Sequence, residues 1–569
     1  MNKPEWHKRI NVLIIVFVLL VIGLNYRLLQ KSILEHQSYA ALAQNQHVVK
    51  KNLPANRGKI YSSDLFPLAT NSRDWQVMVV PNQVPEDARQ NMATLLAPFV
   101  EKSAAEVYEK INNEKSYIPP LIKHLSEYQA NKINELNLKG VFVTPVSIRF
   151  YPEGPLASQI LGFVDAEAEG KYGLEGYFND ELKGISGEVY GAKDSRGRVF
   201  NINLEVNPHN GKDAYLTIDR NVQNKAEEII TAAVEKYQSD SGSIIVMDPN
   251  TGKIIAMTNS PTFNPNEYNK VASDAQNVFN NMAINNAWEP GSIFKPLIMA
   301  AAINEGKVTP DTQEVFASSI EVDGFTIKTS TGQAYGKETM TQVLENSDNV
   351  AMVWISELLG KETMYKYLKD FGFSRKTGIE LNTESPGDIP ELKTWSNTLR
   401  ATASFGQGIT ATPLQILNAT NAIANGGKIL QPYIVSKLVD YNGKEEVRQP
   451  KVVNQVLTKD AAQKTAGMMV SVVDYGHGKK AGVPGFKVAG KTGTAQVARP
   501  GGGYYDSRHV GSFVGFAPAD NPKFSMIVRL DNPKNVDWAE SSAAPTFGEM
   551  AKWLIEYYKL TPDPKLLDK

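Results

Sequence analysis

One stretch limits this chain more than any other: Ile10 to Leu24 reads INVLIIVFVLLVIGL, with no charged side chain. A backbone placed in hydrocarbon must satisfy its own N–H and C=O groups, so such a run is expected to be a helix. Taken on to Leu29 it approaches the roughly 17 to 25 residues that cross a bilayer. Lys3, His7, Lys8 and Arg9 precede it, and Asn25 and Arg27 follow. The basic N-terminal flank predicts that this end stays in the cytoplasm and that the remainder lies outside. The small-x-small sequence Ala41-Leu-Ala43 lies too far beyond the apolar run for usual signal cleavage, so an uncleaved anchor is expected.

The rest must fold in water. With 569 residues the chain is too long for one core, and at about 150 residues per domain two to four units are expected. Lys+Arg 60 against Asp+Glu 61 gives no basic field for nucleic acid. Cysteine is absent, which excludes disulfides, thiolate metal sites and cysteine nucleophiles together. His7, His36, His47, His124, His209, His477 and His509 are scattered without paired ligand spacing, so neither a metal nor a cofactor is expected. His477, in Tyr475-Gly-His-Gly478, reads as a loop residue rather than a base.

From Gln30 to Asn52 the chain is polar, with Tyr39, Leu42 and Val48 or Val49 as weak helical anchors of a stalk. Short strands are predicted at Lys59 to Tyr61 and Val141 to Phe150, the latter an edge or bulge because of Pro145. Helices are predicted at 87–96, 104–112 and 126–136. Arg57-Gly58, Arg149-Phe-Tyr-Pro152 and Gly173-Leu-Glu-Gly176 read as packing and turn residues. A boundary falls near Asp219-Arg220, after which Val222, Ala226, Ile229, Ile230, Ala233, Val234 and Tyr237 recur at helical spacing. Gly242 to Met247 and Lys253 to Met257 flank Asp-Pro-Asn-Thr-Gly252, a hairpin by turn chemistry. A long, mostly helical stretch follows. The chain closes with strands around Lys491, Gly511 to Phe516 and Lys523 to Arg529, and a helix from Pro545 to Tyr558. One sheet covered by terminal helices, with a helical lobe inserted between its strands, is the simplest assembly.

Chemistry concentrates in Trp288-Glu-Pro-Gly-Ser-Ile-Phe-Lys-Pro296. Residues three apart on a helix share a face, so the Lys295 amine can reach the Ser292 hydroxyl. Pro290 and Gly291 leave Ser292 in the first helical turn, where free N–H groups favour an oxyanion. Ser-x-x-Lys occurs only here, Ser-x-Asn only at Ser347-Asp348-Asn349, and Lys491-Thr492-Gly493-Thr494 follows downstream. In that order the three form the signature of penicillin-binding proteins and class A β-lactamases. Lys376-Thr-Gly378 is a second K-T-G, but its setting is helical rather than strand-like.

From about Pro54 onward the chain resembles the class B penicillin-binding proteins, monofunctional D,D-transpeptidases that cross-link peptidoglycan. Asn56-Arg-Gly-Lys-Ile60, Arg149-Phe-Tyr-Pro152 and Gly173-Leu-Glu-Gly176 resemble that family's pedestal, and Ser404-Phe-Gly-Gln-Gly-Ile409 with Thr412-Pro-Leu-Gln415 its transpeptidase domain. The resemblance implies a multidomain α+β protein: a tail at 1–9, a transmembrane helix at 10–29, a stalk and pedestal at 30–220, a transpeptidase domain at 221–559 and a tail at 560–569. It assigns Ser292 as nucleophile, Lys295 as its base and Ser347 as proton relay. Asn349, Lys491, Thr492, Gly493 and Thr494 become substrate-binding residues, and Asp348 a structural one. Gly493 is expected to clear space for a substrate strand, and the N–H groups of Ser292 and Thr494 to form the oxyanion hole. The implied ligands are stem peptides ending in D-Ala-D-Ala and β-lactams. The implied partners are a polytopic glycosyltransferase of the shape, elongation, division and sporulation family and other division or elongation proteins.

Nothing ahead of the pedestal is long enough for the glycosyltransferase domain of the bifunctional relatives. Glu289-Pro-Gly-Ser292, Val350 to Ser356 and Ser512 to Pro518 are phrased like the septal subgroup, with elongation or sporulation roles as alternatives. A β-lactamase would need a water-activating glutamate. Glu380-Leu-Asn382 echoes that element, but the position of its first glutamate holds Gly378. A β-lactam sensor or an inactive scaffold is the reading of a different class. The single span, and the presence of Ser292, Lys295 and Ser347, argue against both.

Overall fold

The computed structural model describes residues 4–37, 39, 48–99, 102–112, 120–193, 199–499 and 501–566. Contacts divide it into two compact units. The first joins residues 1–56 to 184–210. Its helix Pro4–Leu29 runs on into a π turn, Gln30–Leu34, and the segment Trp6–Leu34 is long and apolar enough to cross a membrane. Strands Val48–Leu53, Gly187–Lys193 and Val199–Val206 form a three-stranded antiparallel sheet. Val48 and Val49, expected in a helical stalk, therefore lie in a strand, as two β-branched residues in succession favour. Leu42 and the Ala41-Leu-Ala43 sequence lie outside the described residues.

The second unit, residues 57–183 and 211–569, contains a seven-stranded sheet. Ile60–Tyr61, Pro67–Val79, Ile122–Leu125 and Val141–Phe150 enter from the N-terminal half. Asp213–Leu216, Val435–Val439 and Glu445–Val447 complete it, so strands from either side of the expected boundary near residue 220 share one sheet. The three short motifs of the pedestal meet at Glu175. Its two carboxylate oxygens pair with Arg57 Nε and Arg149 Nε, each at 2.6 Å, and Tyr151 Oη adds a hydrogen bond at 3.3 Å. All of this is nearly excluded from water, so the motifs are packing residues because they form one buried ion triad.

The C-terminal part of this unit is built on helix α1 (Arg220–Lys236), strands β1 (Ser241–Met247) and β2 (Ile254–Ser260), helices α2 (Lys295–Asn304), α3 (Asn349–Leu359), α4 (Pro413–Ala424) and α5 (Lys459–Asp474), strands β3 (Ala489–Ala498), β4 (Tyr504–Ala517) and β5 (Phe524–Asp531), and helix α6 (Ala543–Tyr557). The strands run antiparallel in the order β2-β1-β5-β4-β3, leaving β3 at an edge. Asp219 starts α1 by accepting from Asn221 N and Val222 N, and the face carrying Val222, Ala226, Ile229, Ile230 and Ala233 packs with α6 on one side of the sheet. Helices α2, α4 and α5 cover the other side. The lobe inserted between β2 and β3 is less helical than expected. Gln313–Phe316 pairs with Gly336–Thr339, and Ser319–Val322 with Phe325–Lys328. Asp323-Gly324 closes the second hairpin with both φ angles positive (49° and 81°), the mirror-image turn that an Asp-Gly pair favours.

Candidate active site

Ser292 sits in a short turn, Gly291–Phe294, that feeds α2. Lys295 to Ile303 are all buried, and a helix apolar on every side belongs in a core, so Lys295 enters the interior with it. Its Nζ donates to Ser347 O at 2.5 Å, Asn349 Oδ1 at 2.8 Å and Ser347 Oγ at 3.1 Å. From β3 the equally buried Lys491 donates to Ser347 Oγ at 3.0 Å and to Thr492 O at 3.1 Å. One hydroxyl thus lies between two amines that water cannot reach. Burial and the neighbouring Lys491 hold Lys295 well below the ordinary lysine range, against an opposing pull from Asp348. Burial pushes Lys491 down to about 7. Ser292 Oγ makes no hydrogen bond to a described residue and opens into a cleft of about 360 Å³ that Ser347, Asn349, Thr492 and Thr494 also line. In this arrangement Lys295 spends three donors on Ser347 and Asn349. Losing a proton would free a lone pair for Ser292, and the surroundings favour that loss.

The supports are local. Ser347 adopts φ 55°, a left-handed conformation that costs a non-glycine residue of order 1 to 3 kcal/mol and turns the chain into α3. Asp348 Oδ1 caps α3, accepting from Val350 N at 2.6 Å and Ala351 N at 3.1 Å, which is the structural role expected of it. Asn349 Nδ2 donates to Lys328 O at 3.0 Å. Gly406 lets Ser404-Phe-Gly-Gln-Gly408 approach the Ser292 turn: Gly291 N donates to Gly406 O at 3.1 Å, and a Cβ on Gly406 would meet Gly291 O at 2.4 Å. A Cβ on Gly493 would meet Ile293 Cγ2 at 2.8 Å, Ser512 Oγ at 2.9 Å and Pro290 O at 3.1 Å, so the missing side chain makes room for the Ser292 turn.

Comparison with known proteins identifies the arrangement. Residues 242–552 match the penicillin binding protein transpeptidase domain, and residues 52–216 the penicillin-binding protein dimerisation domain. Stage V sporulation protein D of Bacillus subtilis is 36% identical over 529 residues, covering 91% of this chain and 81% of that protein. The chain is a class B penicillin-binding protein. Peptidoglycan D,D-transpeptidase FtsI of Buchnera aphidicola is 29% identical over 559 residues, covering 96% of this chain and 94% of that one. Among solved structures, penicillin binding protein 3 of Mycobacterium tuberculosis complexed with aztreonam superposes with TM-score 0.72 at 27% identity, over 91% of this chain and 99% of that one. Penicillin binding protein 2X of Streptococcus thermophilus does so with TM-score 0.74 at 25% identity, over 92% and 81%. The chain is accordingly a serine D,D-transpeptidase.

In this penicillin-binding protein the second K-T-G lies away from the cleft. Thr377 N donates to Glu384 Oε1 at 2.7 Å, and Lys376 is exposed. Glu380, from the Glu380-Leu-Asn382 echo of the β-lactamase element, is buried, accepts from Ile434 N at 2.9 Å and pairs with Arg448 at 2.7 Å, so it too is structural. The cleft also takes in Ser330, Thr331, Gln407, His477, Trp538 and Glu540, none of which was singled out as a site residue from the sequence. Gln407 could have been, since it stands between Gly406 and Gly408. His477 and Glu540 could not, because they meet only across 63 positions of chain.

Proposed function

We propose that the protein cross-links peptidoglycan stem peptides through an acyl-enzyme on Ser292 and that β-lactams acylate the same oxygen. Neutral Lys295 takes the Ser292 proton as Oγ attacks the penultimate D-Ala carbonyl. Ser347, already bonded to both lysines, relays that proton to the departing D-Ala amine. Lys491 and Thr492 hold the terminal carboxylate, Asn349 the peptide backbone, and the N–H groups of Ser292 and Thr494 the oxyanion, where losing one donor costs roughly 10²- to 10³-fold in rate. The free edge of β3 is open to an extended donor peptide. The observation that carries this reading is the shared hydrogen bonding of Ser347 Oγ by Lys295 and Lys491 at the wall of the Ser292 cleft.

The apolar N-terminal helix would anchor the chain with its N terminus in the cytoplasm and the catalytic domain outside, beside a polytopic glycosyltransferase that supplies the glycan strands. The relative named FtsI, and the phrasing of Glu289-Pro-Gly-Ser292, favour work at the septum. The sporulation relative at 36% identity supports the second reading. Labelled penicillin on the wild type and on Ser292→Ala, followed by turnover of a peptide ending in D-Ala-D-Ala, tests the chemistry. Wild type should label and release D-Ala, and Ser292→Ala should do neither. Depletion tests the role: filaments support septal work, and normal growth with failed spores supports the other.

A further inference from the structure

Two carboxamides line the Ser292 cleft, and the protein uses them differently. Asn349 is engaged at both ends: Oδ1 accepts from Lys295 at 2.8 Å and Nδ2 donates to Lys328 O at 3.0 Å. The side chain of Gln407 makes no hydrogen bond to a described residue. Its two N–H donors and its carbonyl acceptor are therefore all available to a ligand.

The backbone of Gln407 is fixed beside the nucleophile. Gly406, the residue before it, accepts at 3.1 Å from the N–H of Gly291, the residue before Ser292. Consecutive Cα atoms are about 3.8 Å apart, so the two side chains start one step beyond a shared hydrogen bond. Gln407 N donates to Thr402 O at 3.0 Å, and Gly408 N donates to Glu289 Oε1 at 3.0 Å. Glu289 Oε2 accepts in turn from Tyr504 Oη at 2.8 Å, so one carboxylate ties the Gln407 loop, the Ser292 turn and the start of β4 together. A glutamine in a turn is ordinarily a solvated side chain on a loose support. Here the support is anchored on both sides while the carboxamide is left unbonded, the combination a recognition residue needs.

An extended peptide added to the edge of β3 pairs with that strand through alternate residues only. The N–H and C=O of the residues between point away from β3, and a peptide group enclosed without a partner is penalised. A carboxamide can serve both at once, accepting from the N–H and donating to the C=O. We propose that Gln407 is a substrate-binding residue that pairs in this way with one residue of the donor stem peptide facing away from β3. This rests on the transpeptidase reading above. Asn349 keeps one hydrogen for a substrate carbonyl, so the two carboxamides serve different peptide groups.

The test uses the full chain in detergent and a set of peptide thioester donors that acylate Ser292, read by release of the thiol. In each donor one amide upstream of the reacting carbonyl is replaced by an ester, which deletes a single N–H. In the wild type, the ester at the residue that meets Gln407 should lower kcat/KM about tenfold, the scale of an enclosed acceptor left unpaired. In Gln407→Met, of similar length but without polar ends, that same ester should cost nothing, while esters at residues paired with β3 should cost as much as in the wild type. An unchanged Tm shows that the variant folds. A merely structural Gln407 would slow every donor alike, so ester effects equal in wild type and Gln407→Met at every position would overturn the proposal. A wild type that releases thiol from no donor would overturn the transpeptidase reading and this proposal with it.

Discussion

Two buried lysines around one hydroxyl set the pH behaviour at the scale of single residues. The proposed mechanism needs Lys295 neutral and Lys491 charged, so the rate of acylation should climb as Lys295 loses its proton and fall as pH passes about 7, where Lys491 loses its own. A guanidinium stays protonated, so Lys491→Arg should lower the rate through altered geometry but remove the alkaline limb, seen as penicillin acylation against pH. Glu338 adds an opposite signature. It is 2% exposed, its Oε1 accepts from Asn346 Nδ2 at 2.8 Å, and burial together with the nearby Asp348 and Glu345 raises its carboxyl to about 7. A raised acid keeps its proton when folded, so its stabilisation is complete below the unfolded value near 4.3 and is lost as pH rises through about 7. Tm should therefore decline over that window, by at most about 1.4 kcal/mol of stability per pH unit, and Glu338→Gln should flatten the decline. The lysines and serines were legible because each sits in a short ordered motif. The contact of His477 with Glu540 was not, because the two meet only across 63 positions of chain, and Glu338 was not, because nothing in its local sequence marks its carboxylate as buried.

Elements explain the next layer. The turn bearing Ser292 is held by Gly406, whose φ of 81° and lack of a side chain admit Gly291. Gly406→Ala adds a Cβ 2.4 Å from a backbone oxygen in a conformation unfavourable to alanine. It should cost about 1 to 3 kcal/mol in thermal stability and slow penicillin acylation, because the displaced neighbour is the turn that carries Ser292, the proposed nucleophile. Asp348→Ala removes the cap of α3 and should cost about 0.5 to 2 kcal/mol, with a larger fall in acylation than that loss alone explains, since Ser347 and Asn349 flank the cap. The helix starting at Arg220 and the hairpin around Asp248 to Gly252 were readable from periodicity and turn residues. The Asp323-Gly324 hairpin carried an equally strong turn signal, but its strands are four residues each, too short for their alternation to stand out from a helical surrounding.

At the scale of the whole molecule, the expected separation of pedestal from catalytic domain meets a sheet that ignores it. Val435–Val439 and Glu445–Val447 come from the catalytic half yet extend the sheet that Ile60–Tyr61 and Pro67–Val79 begin. Periodicity along a sequence marks strands but does not pair them, which is why this joint was invisible there. Residues 57–183 and 211–569 should accordingly unfold together. Glu175 supplies the probe. Replacing it by alanine leaves Arg57 and Arg149 buried without their counter-charge, a change worth about 3 to 5 kcal/mol. If the unit is cooperative, Glu175→Ala will lower the midpoint of tryptophan fluorescence and the temperature at which penicillin labelling of Ser292 is lost by the same amount, although Glu175 does not line the cleft. Two separate transitions, with labelling surviving past the first, would show instead that the pedestal melts alone and that the shared sheet carries little coupling.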